Sequence, residues 1–356
     1  MSPQIKARAI VLTDGLLDSS DAKTAHGLIR GTERYEIAAI IDRVHKGKDA
    51  GIVLDGKHRN IPIYETVEAA IEAVSNISFC IIGVATVGGI LPSHFIPTLE
   101  TCLRHRISLV NGLHELLSDI PSLVQLAAEN SCTLTDIRKP KTRKELHSWN
   151  GSIFSVKAPV IAVIGTDCAL GKRTTCRLVM QACEKAGISA AMIYTGQTGW
   201  LQGGQYGFIF DSTLNDFIAG ELEHAIVSCY KDTAPQVILV EGQSALRNPF
   251  GPCGSEMLIS GNAKQVILVH APKRMYFEHD PAWGKIPDIE SEIALIKLLG
   301  SEVMALALNT EHCSKQDALQ YQQDYRTKLG IPVLLPLEEG VEEIIPAIRD
   351  LTLNRK

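Results

Sequence analysis

The sequence predicts an α/β protein, with an N-terminal Rossmann-like domain followed by a P-loop NTPase-like parallel-sheet domain. Short apolar runs alternate with helical stretches in both halves, which is the pattern of a parallel sheet covered by helices. A charged stretch without apolar period interrupts the alternation midway. Just beyond it the apolar run "PVIAVI" enters "GTDCALGKRTT", residues 165–175, a glycine-bounded loop of the kind that cradles phosphates between a strand and a helix.

In the first half "RAIVLT" reads as a strand, and "AKTAHGLIR" begins a helix. "YEIAAIID" is a second strand ending in Asp42, "VEAAIEAV" is helical, "SFCIIGVA" is a third strand, and "SLVNGLHELL" passes from strand to helix. An acidic residue at the end of a second strand can hold a ribose hydroxyl, but the first turn, "TDGLLDSSDAKTAHG", is not G-x-G-x-x-G. The stretch 136–158, with its run "RKPKTRK", reads as a linker. Its basic run is a solvated face, with the alternative that Arg138 or Lys139 reaches a phosphate. The expected domains are residues 1–140 and 159–356, joined by a linker at 141–158. In the second half the strands are "VIAVIG", "SAAMIYTG", "QVILVEG", "QVILVH", "VMALALN" and "IPVLLPL". The helix "KRTTCRLVMQACEKAG" is stopped by Gly187, and "NDFIAGELEHAIVSCY" and "DIESEIALIKLL" are helical.

Composition narrows the function classes. A chain of 356 residues, 45% hydrophobic and 21% charged, suits a soluble globular protein, and a net charge of −5 argues against general nucleic-acid binding. The start "MSPQIKARAIVLTDG" is broken by Thr13-Asp14-Gly15 and reads as neither signal peptide nor anchor, and no apolar run reaches the ~18 residues of a membrane span. Nine scattered cysteines without a C-x-x-C pair read as reduced thiols, so a cytoplasmic protein is expected. A homodimer is expected from the general frequency of two-fold assemblies.

The phosphate loop departs from the usual G-x4-G-K-[ST]. Five residues separate Gly165 from Gly171, and Arg173 stands where the magnesium-binding hydroxyl belongs. Thr174 and Thr175 follow one and two positions late. Gly165, Thr166, Asp167, Gly171, Lys172, Arg173, Thr174 and Thr175 are therefore the expected phosphate-binding set, suited to holding a diphosphate without hydrolysing it. Cys168, inside the loop, is a packing residue or a reactive thiol. Polar strand ends supply the rest: Thr195, Gln197 and Thr198; Glu241, Gly242 and Gln243; and His270, Lys273 and Arg274. No metal ligand set is expected.

These segments carry resemblances. The "GTD…GK" loop resembles the dethiobiotin-synthetase and MinD-like group, whose pattern lacks Arg173. Residues 40–92, through "IIDRVHKGKDAG", "IPIYETVEAAIEA" and "CIIGVATVGGILP", resemble the CoA-binding Rossmann domain of the succinyl-CoA synthetase α chain, with Lys46 and Lys48 as phosphate contacts. Taken together, "GTDCALGKRTT", "YTGQTGW", "VEGQSAL", "VHAPKR" and "TDG…KTAHGLIR" resemble the two-domain family that includes the bacterial D-glutamate N-acetyltransferases (DgcN type), over roughly residues 8–345. The resemblance implies acetyl transfer from acetyl-CoA to the amino group of a D-amino acid, chiefly D-glutamate. Gln197, Gln243, Arg173, Arg247 and Arg274 would then meet the substrate. Glu241 or His270 would be the base that frees the amine, with His270 favoured because an unperturbed imidazole titrates near neutrality. Lys172 would stabilise the oxyanion. The segment "SALRNPFGPCG" differs from the small, His- or Ser-containing stretch the family leads one to expect. Two rivals stand beside this reading. One is an ATP- and magnesium-dependent ligase or kinase of dethiobiotin-synthetase type, using Thr174 or Thr175. The other is a non-catalytic nucleotide sensor in which Asp42 holds a ribose.

Overall fold

The computed structural model describes residues 6–353. The first five residues and the last three, at the outer ends of the two expected domains, lie outside the described residues. Two compact units are present. One runs up to Pro140 and includes Gln197–Gly203; the other comprises Lys141–Gly196 and the chain from Gly204 onward.

In the first unit the order is β1 (Ala7–Leu12), α1 (Lys23–Arg30), β2 (Tyr35–Ile41), α2 (Ala50–Asp55), β3 (Ile63–Tyr64), α3 (Val67–Ala73), β4 (Phe79–Ile82), α4 (Ile96–Arg104), β5 (Ser108–Asn111), α5 (Pro121–Glu129) and β6 (Leu134–Asp136). The strands pair in parallel in the order β3-β2-β1-β4-β5-β6, the doubly wound Rossmann arrangement. Ile10, Leu12, Ile82 and Leu109 pack beneath α4, while Val11, Ile40 and Ile81 pack on the other face with Leu28 of α1. Coverage on both faces explains why these strands read as continuous apolar runs rather than alternating ones. Asp136 belongs to the sheet rather than to a linker: its carboxylate accepts from Asn111 Nδ2 at 2.8 Å and from the Leu117 and Ser118 N–H groups at 2.9 Å.

The second unit continues with β7 (Val160–Gly165), α6 (Lys172–Lys185) and β8 (Ala190–Tyr194); the chain then forms α7 (Gln197–Leu201) within the first unit. It returns through β9 (Tyr206–Gly207), α8 (Asn215–Thr233), β10 (Val237–Glu241), α9 (Ser255–Ile259), β11 (Gln265–His270), α10 (Ile289–Leu298), β12 (Glu302–Leu308), α11 (Lys315–Leu329), β13 (Val333–Leu334) and α12 (Ile345–Leu353). This sheet is also parallel, ordered β13-β12-β11-β7-β10-β8-β9. Strand β7 lies between β10 and β11, so the ends of three neighbouring strands surround the loop that follows it.

Residues 141–158 are mostly irregular, but they are not a loose tether. The buried carboxylate of Glu221 on α8 accepts from Lys141 Nζ at 2.6 Å and from the His147 backbone N–H at 2.8 Å. Buried Glu223 accepts from the Asn150 and Ile153 N–H groups at 2.8 and 3.0 Å. Arg138 donates to the Gly112 carbonyl, so a guanidinium proposed for phosphate has an internal acceptor. Among the described residues no helix is long and apolar enough to cross a membrane, and all nine cysteines are free thiols.

Candidate functional site

Strand β7 is buried along its length and delivers the chain to Thr166, whose N–H donates to the Val269 carbonyl at 3.0 Å. The loop then passes through two left-handed residues, Ala169 (φ 51°) and Gly171 (φ 91°). Gly171 is the N-cap of the 14-residue α6, no side chain caps this end, and the first turn holds no acidic residue. A helix start of this kind, with its N–H groups and the positive end of the helix dipole, is suited to an anion.

Lys172 is 6% exposed, and its Nζ donates to the carbonyls of Asp167 at 2.6 Å and Ser244 at 2.8 Å. Burial pulls its pKa below the usual lysine value. Gly242 makes this seat possible, because a Cβ there would lie 2.4 Å from the Val163 carbonyl oxygen and 3.2 Å from Lys172 Cδ. Ser244 is itself left-handed, at φ 31°. Such conformations cost on the order of 1–3 kcal/mol each and gather at functional sites. Arg173, in the place of the expected hydroxyl, sets Nη1 3.7 Å from Glu241 Oε1. Thr174 is half-buried and Thr175 buried in the first turn of α6.

Asp167 anchors the loop to its surroundings. Its Oδ1 accepts from Asn248 Nδ2, and its Oδ2 from Arg274 Nη1 and the Glu278 N–H, all at 2.9 Å. Arg274 also donates to the Cys168 carbonyl at 2.7 Å and to both carboxylate oxygens of Glu311, at 2.6 and 2.8 Å. Both arginines expected to meet the substrate, Arg274 and Arg247, have internal carboxylate partners. Arg274 is held between two carboxylates, and Arg247 donates to Glu292 at 2.6 Å and Ser291 Oγ at 2.8 Å. Asp167, Cys168 and Glu278 bring metal-ligand-type atoms within 4.8 Å of one another. The Asp167 oxygens are already engaged, however, and burial lifts the Cys168 thiol to about 11. A thiol so protonated is also a poor nucleophile.

The neighbouring strand ends differ in character. Glu241, 4% exposed at the end of β10, accepts from the Thr195 N–H at 3.3 Å and lies beside the Arg173 guanidinium. Burial raises its pKa despite Arg173, the Thr195 N–H and Lys172. Gln243 donates to Thr195 Oγ1 at 3.1 Å. His270, at the end of β11, has Nδ1 3.0 Å from Thr166 Oγ1 and Nε2 3.2 Å from the Tyr325 hydroxyl. Burial, with Arg274 nearby, pushes it down to about 4. Both ring nitrogens are therefore engaged, and the ring is a weak base at neutral pH. Glu241, buried and raised, is the better proton acceptor.

The remaining predicted residues belong to the first unit. Lys46 is exposed and bonded to Glu65 at 2.5 Å, and Lys48 is exposed. Gln197 is buried over Gly112, and Thr198 Oγ1 lies 3.5 Å from Thr24 Oγ1. Asp42 is fully buried, and its two oxygens accept from Thr13 Oγ1, from the N–H groups of Gly15, Leu17, Val44 and His45, and pair with His45 Nδ1, at 2.7–3.2 Å. A ribose hydroxyl finds no free acceptor there, which removes the role given to Asp42 in the sensor reading. Asn248, Ser244, Asn309 and Tyr325 complete the loop's surroundings without having been singled out from sequence. Asn309 Nδ2, for instance, donates to the Leu170 carbonyl at 3.1 Å.

A parallel sheet whose central strand ends in an uncapped glycine-lysine loop, on a chain that also carries a Rossmann-like sheet, defines a two-domain P-loop α/β protein. The chain belongs to the DUF1611 family: the P-loop domain of that family, described as a domain of unknown function, matches residues 147–345, and its Rossmann-like N-terminal domain matches residues 43–140. The structure is similar to the crystal structure of a DUF1611 family protein from Anabaena variabilis, with a TM-score of 0.89 and 27% identity over 97% of this chain and 100% of that one. Two curated relatives named D-glutamate N-acetyltransferase are each 27% identical to it. That of Tritonibacter scottomollicae aligns over 75% of this chain and 80% of its own length, and that of a Pseudoalteromonas species over 74% and 79%.

Proposed function

We propose that this protein moves an acetyl group from acetyl-CoA to the amino group of a D-amino acid, with D-glutamate the first candidate. The observation that carries the reading is the start of α6. It is uncapped and free of acidic residues, with Lys172 seated beside it, and it holds an arginine where a nucleotide hydrolase needs its metal-binding hydroxyl. Such a loop suits a diphosphate that is held and not cleaved, and CoA carries one. The names of the two curated relatives point the same way.

In this reading the loop N–H groups and Lys172 meet the CoA diphosphate. The Glu241 carboxylate takes a proton from the substrate ammonium. The freed lone pair attacks the thioester carbonyl, the C–N bond forms, and the carbonyl π electrons move onto its oxygen. The C–S bond then breaks, and the thiolate leaves with the second proton lost by the nitrogen. Arg173, 3.7 Å from the Glu241 carboxylate, and Gln243, on the Thr195 hydroxyl, orient the acceptor beside the base. The Lys46 and Lys48 contacts, a two-fold dimer and a cytoplasmic location belong to the same proposal; sedimentation checks the dimer.

Thiol release from acetyl-CoA is the direct assay, run with D-glutamate, L-glutamate and no acceptor. Release that depends on D-glutamate supports the proposal. ADP release from magnesium-ATP, with no thiol released by any amino acid, sinks it in favour of ligase or kinase chemistry through Thr174 or Thr175.

A further inference from the structure

The segment "SALRNPFGPCG" is unabsorbed by the mechanism above, and it carries an unusual surface feature. Phe250 is 75% exposed, yet its ring is stacked on Trp283, with centroids 5.2 Å apart and planes 25° apart. One face of the phenyl ring is therefore backed by the indole and the other is open to solvent. Exposed single hydrophobes are ordinary, but an exposed ring held rigid by a second ring beside a ligand loop is not.

Both rings are tied to the phosphate loop. The Phe250 N–H donates to Asn248 Oδ1 at 3.0 Å, and the same Asn248 side chain donates through Nδ2 to Asp167 Oδ1 at 2.9 Å. Two residues span at most about 7 Å, so the phenyl ring cannot stray far from this anchor. Trp283 belongs to the segment that leaves Asp167 Oδ2 through the Glu278 N–H, closed by the Phe277 N–H to Gly284 carbonyl bond at 3.2 Å. One loop aspartate thus positions Lys172, which donates to its carbonyl, and both halves of the aromatic pair.

We propose that Phe250, backed by Trp283, is the stacking platform for the adenine ring of the molecule whose phosphates the loop holds, namely the adenosine end of CoA. This rests on the acetyl-CoA reading for the identity of the ligand, but the chemistry recognised is an adenosine phosphate. A purine offers a flat π face to the open side of the phenyl ring, and stacking of this kind tolerates a change of aromatic but not its loss.

The experiment is calorimetric titration of the full chain and of Phe250→Ala and Phe250→Trp with CoA, with pantetheine 4′-phosphate (which lacks the adenosine) and with magnesium-ATP. Phe250→Ala is expected to weaken CoA binding roughly 5- to 150-fold, the range of base–aromatic stacking losses. It should leave pantetheine 4′-phosphate affinity unchanged, and Phe250→Trp should restore CoA binding. Because Phe250 is exposed, the variant melts like the parent protein. Unchanged CoA affinity in Phe250→Ala overturns the platform while leaving the acetyl-CoA reading intact. If the parent protein binds no CoA, that reading fails, and the platform stands or falls by whether Phe250→Ala weakens ATP by the same factor.

Discussion

Each sheet of this protein ends one strand in a buried carboxylate, and the two have opposite characters. Asp42, just beyond β2, is fully enclosed, with its oxygens met by Thr13, His45 and the N–H groups of the surrounding turn. Burial opposes its charge, but these hydrogen bonds overcome that and hold its pKa below the usual aspartate value. Glu241, at the end of β10, is nearly as buried, and the donors shown among the described residues are the Thr195 N–H at 3.3 Å and the Arg173 guanidinium at 3.7 Å. There burial prevails and the pKa rises. Burial alone does not distinguish a structural carboxylate from a chemical one; the number of donors aimed at it does.

The contrast breaks most decisively in Glu241→Gln. Turnover is expected to fall by about 10²- to 10⁴-fold, the range of general acid–base contributions, while thermal stability holds or rises because a poorly paired buried carboxylate has been neutralised. A loss smaller than threefold in thiol release removes Glu241 as the base.

Asp42→Ala should behave the other way round. Its enclosing N–H groups lose their acceptor, so unfolding in denaturant is expected to show a loss of about 3–5 kcal/mol, with turnover per folded molecule retained. If stability barely changes, the hydrogen-bond cage is not what holds the first turn of that sheet.

His270 sharpens the comparison through pH. Its folded value of about 4 lies below the ordinary 6.5, so the unfolded chain binds the extra proton between those values. The contribution is fully present above pH 6.5 and is lost as pH falls toward 4. His270→Gln should flatten that part of the stability–pH curve by roughly 2–3 kcal/mol and cost less turnover than Glu241→Gln. A larger turnover loss than Glu241→Gln would return the base role to the imidazole.

The smallest effect is expected at Gly171. An added Cβ meets nothing within 4 Å, but φ is +91°, so Gly171→Ala should cost about 1–2 kcal/mol of stability from backbone strain alone. No measurable cost would mean that the turn relaxes.

Local pattern made the strand–loop–helix at β7 and α6 legible, because glycine, lysine and an apolar run lie within a few positions of one another. The strand ends carrying Glu241 and His270 were legible for the same reason. Arg274 was not: its partners Asp167 and Glu311 lie 107 and 37 residues away, and nothing near "APKR" announces them. The surroundings of His270 were hidden likewise, since they are built by Thr166 and by Tyr325 of α11. That helix, polar over most of its length, escapes a search for apolar periodicity. Its signals were the Ser314–Asp317 capping box and the left-handed Gly330 that ends it.

The placement of Gln197–Gly203 has a consequence for synthesis. This short segment supplies buried Leu201 to the core of the first unit, and its Gln202 Nε2 donates to the Gly27 and Gly31 carbonyls at 2.7 and 2.9 Å. A ribosome that has finished Pro140 has therefore not finished the first unit. At ordinary translation speeds the completing piece follows on the order of several seconds later. Until then the surface around α1 waits, and a gene fragment ending at Pro140 should yield a protein more easily cleaved by protease there than the full chain.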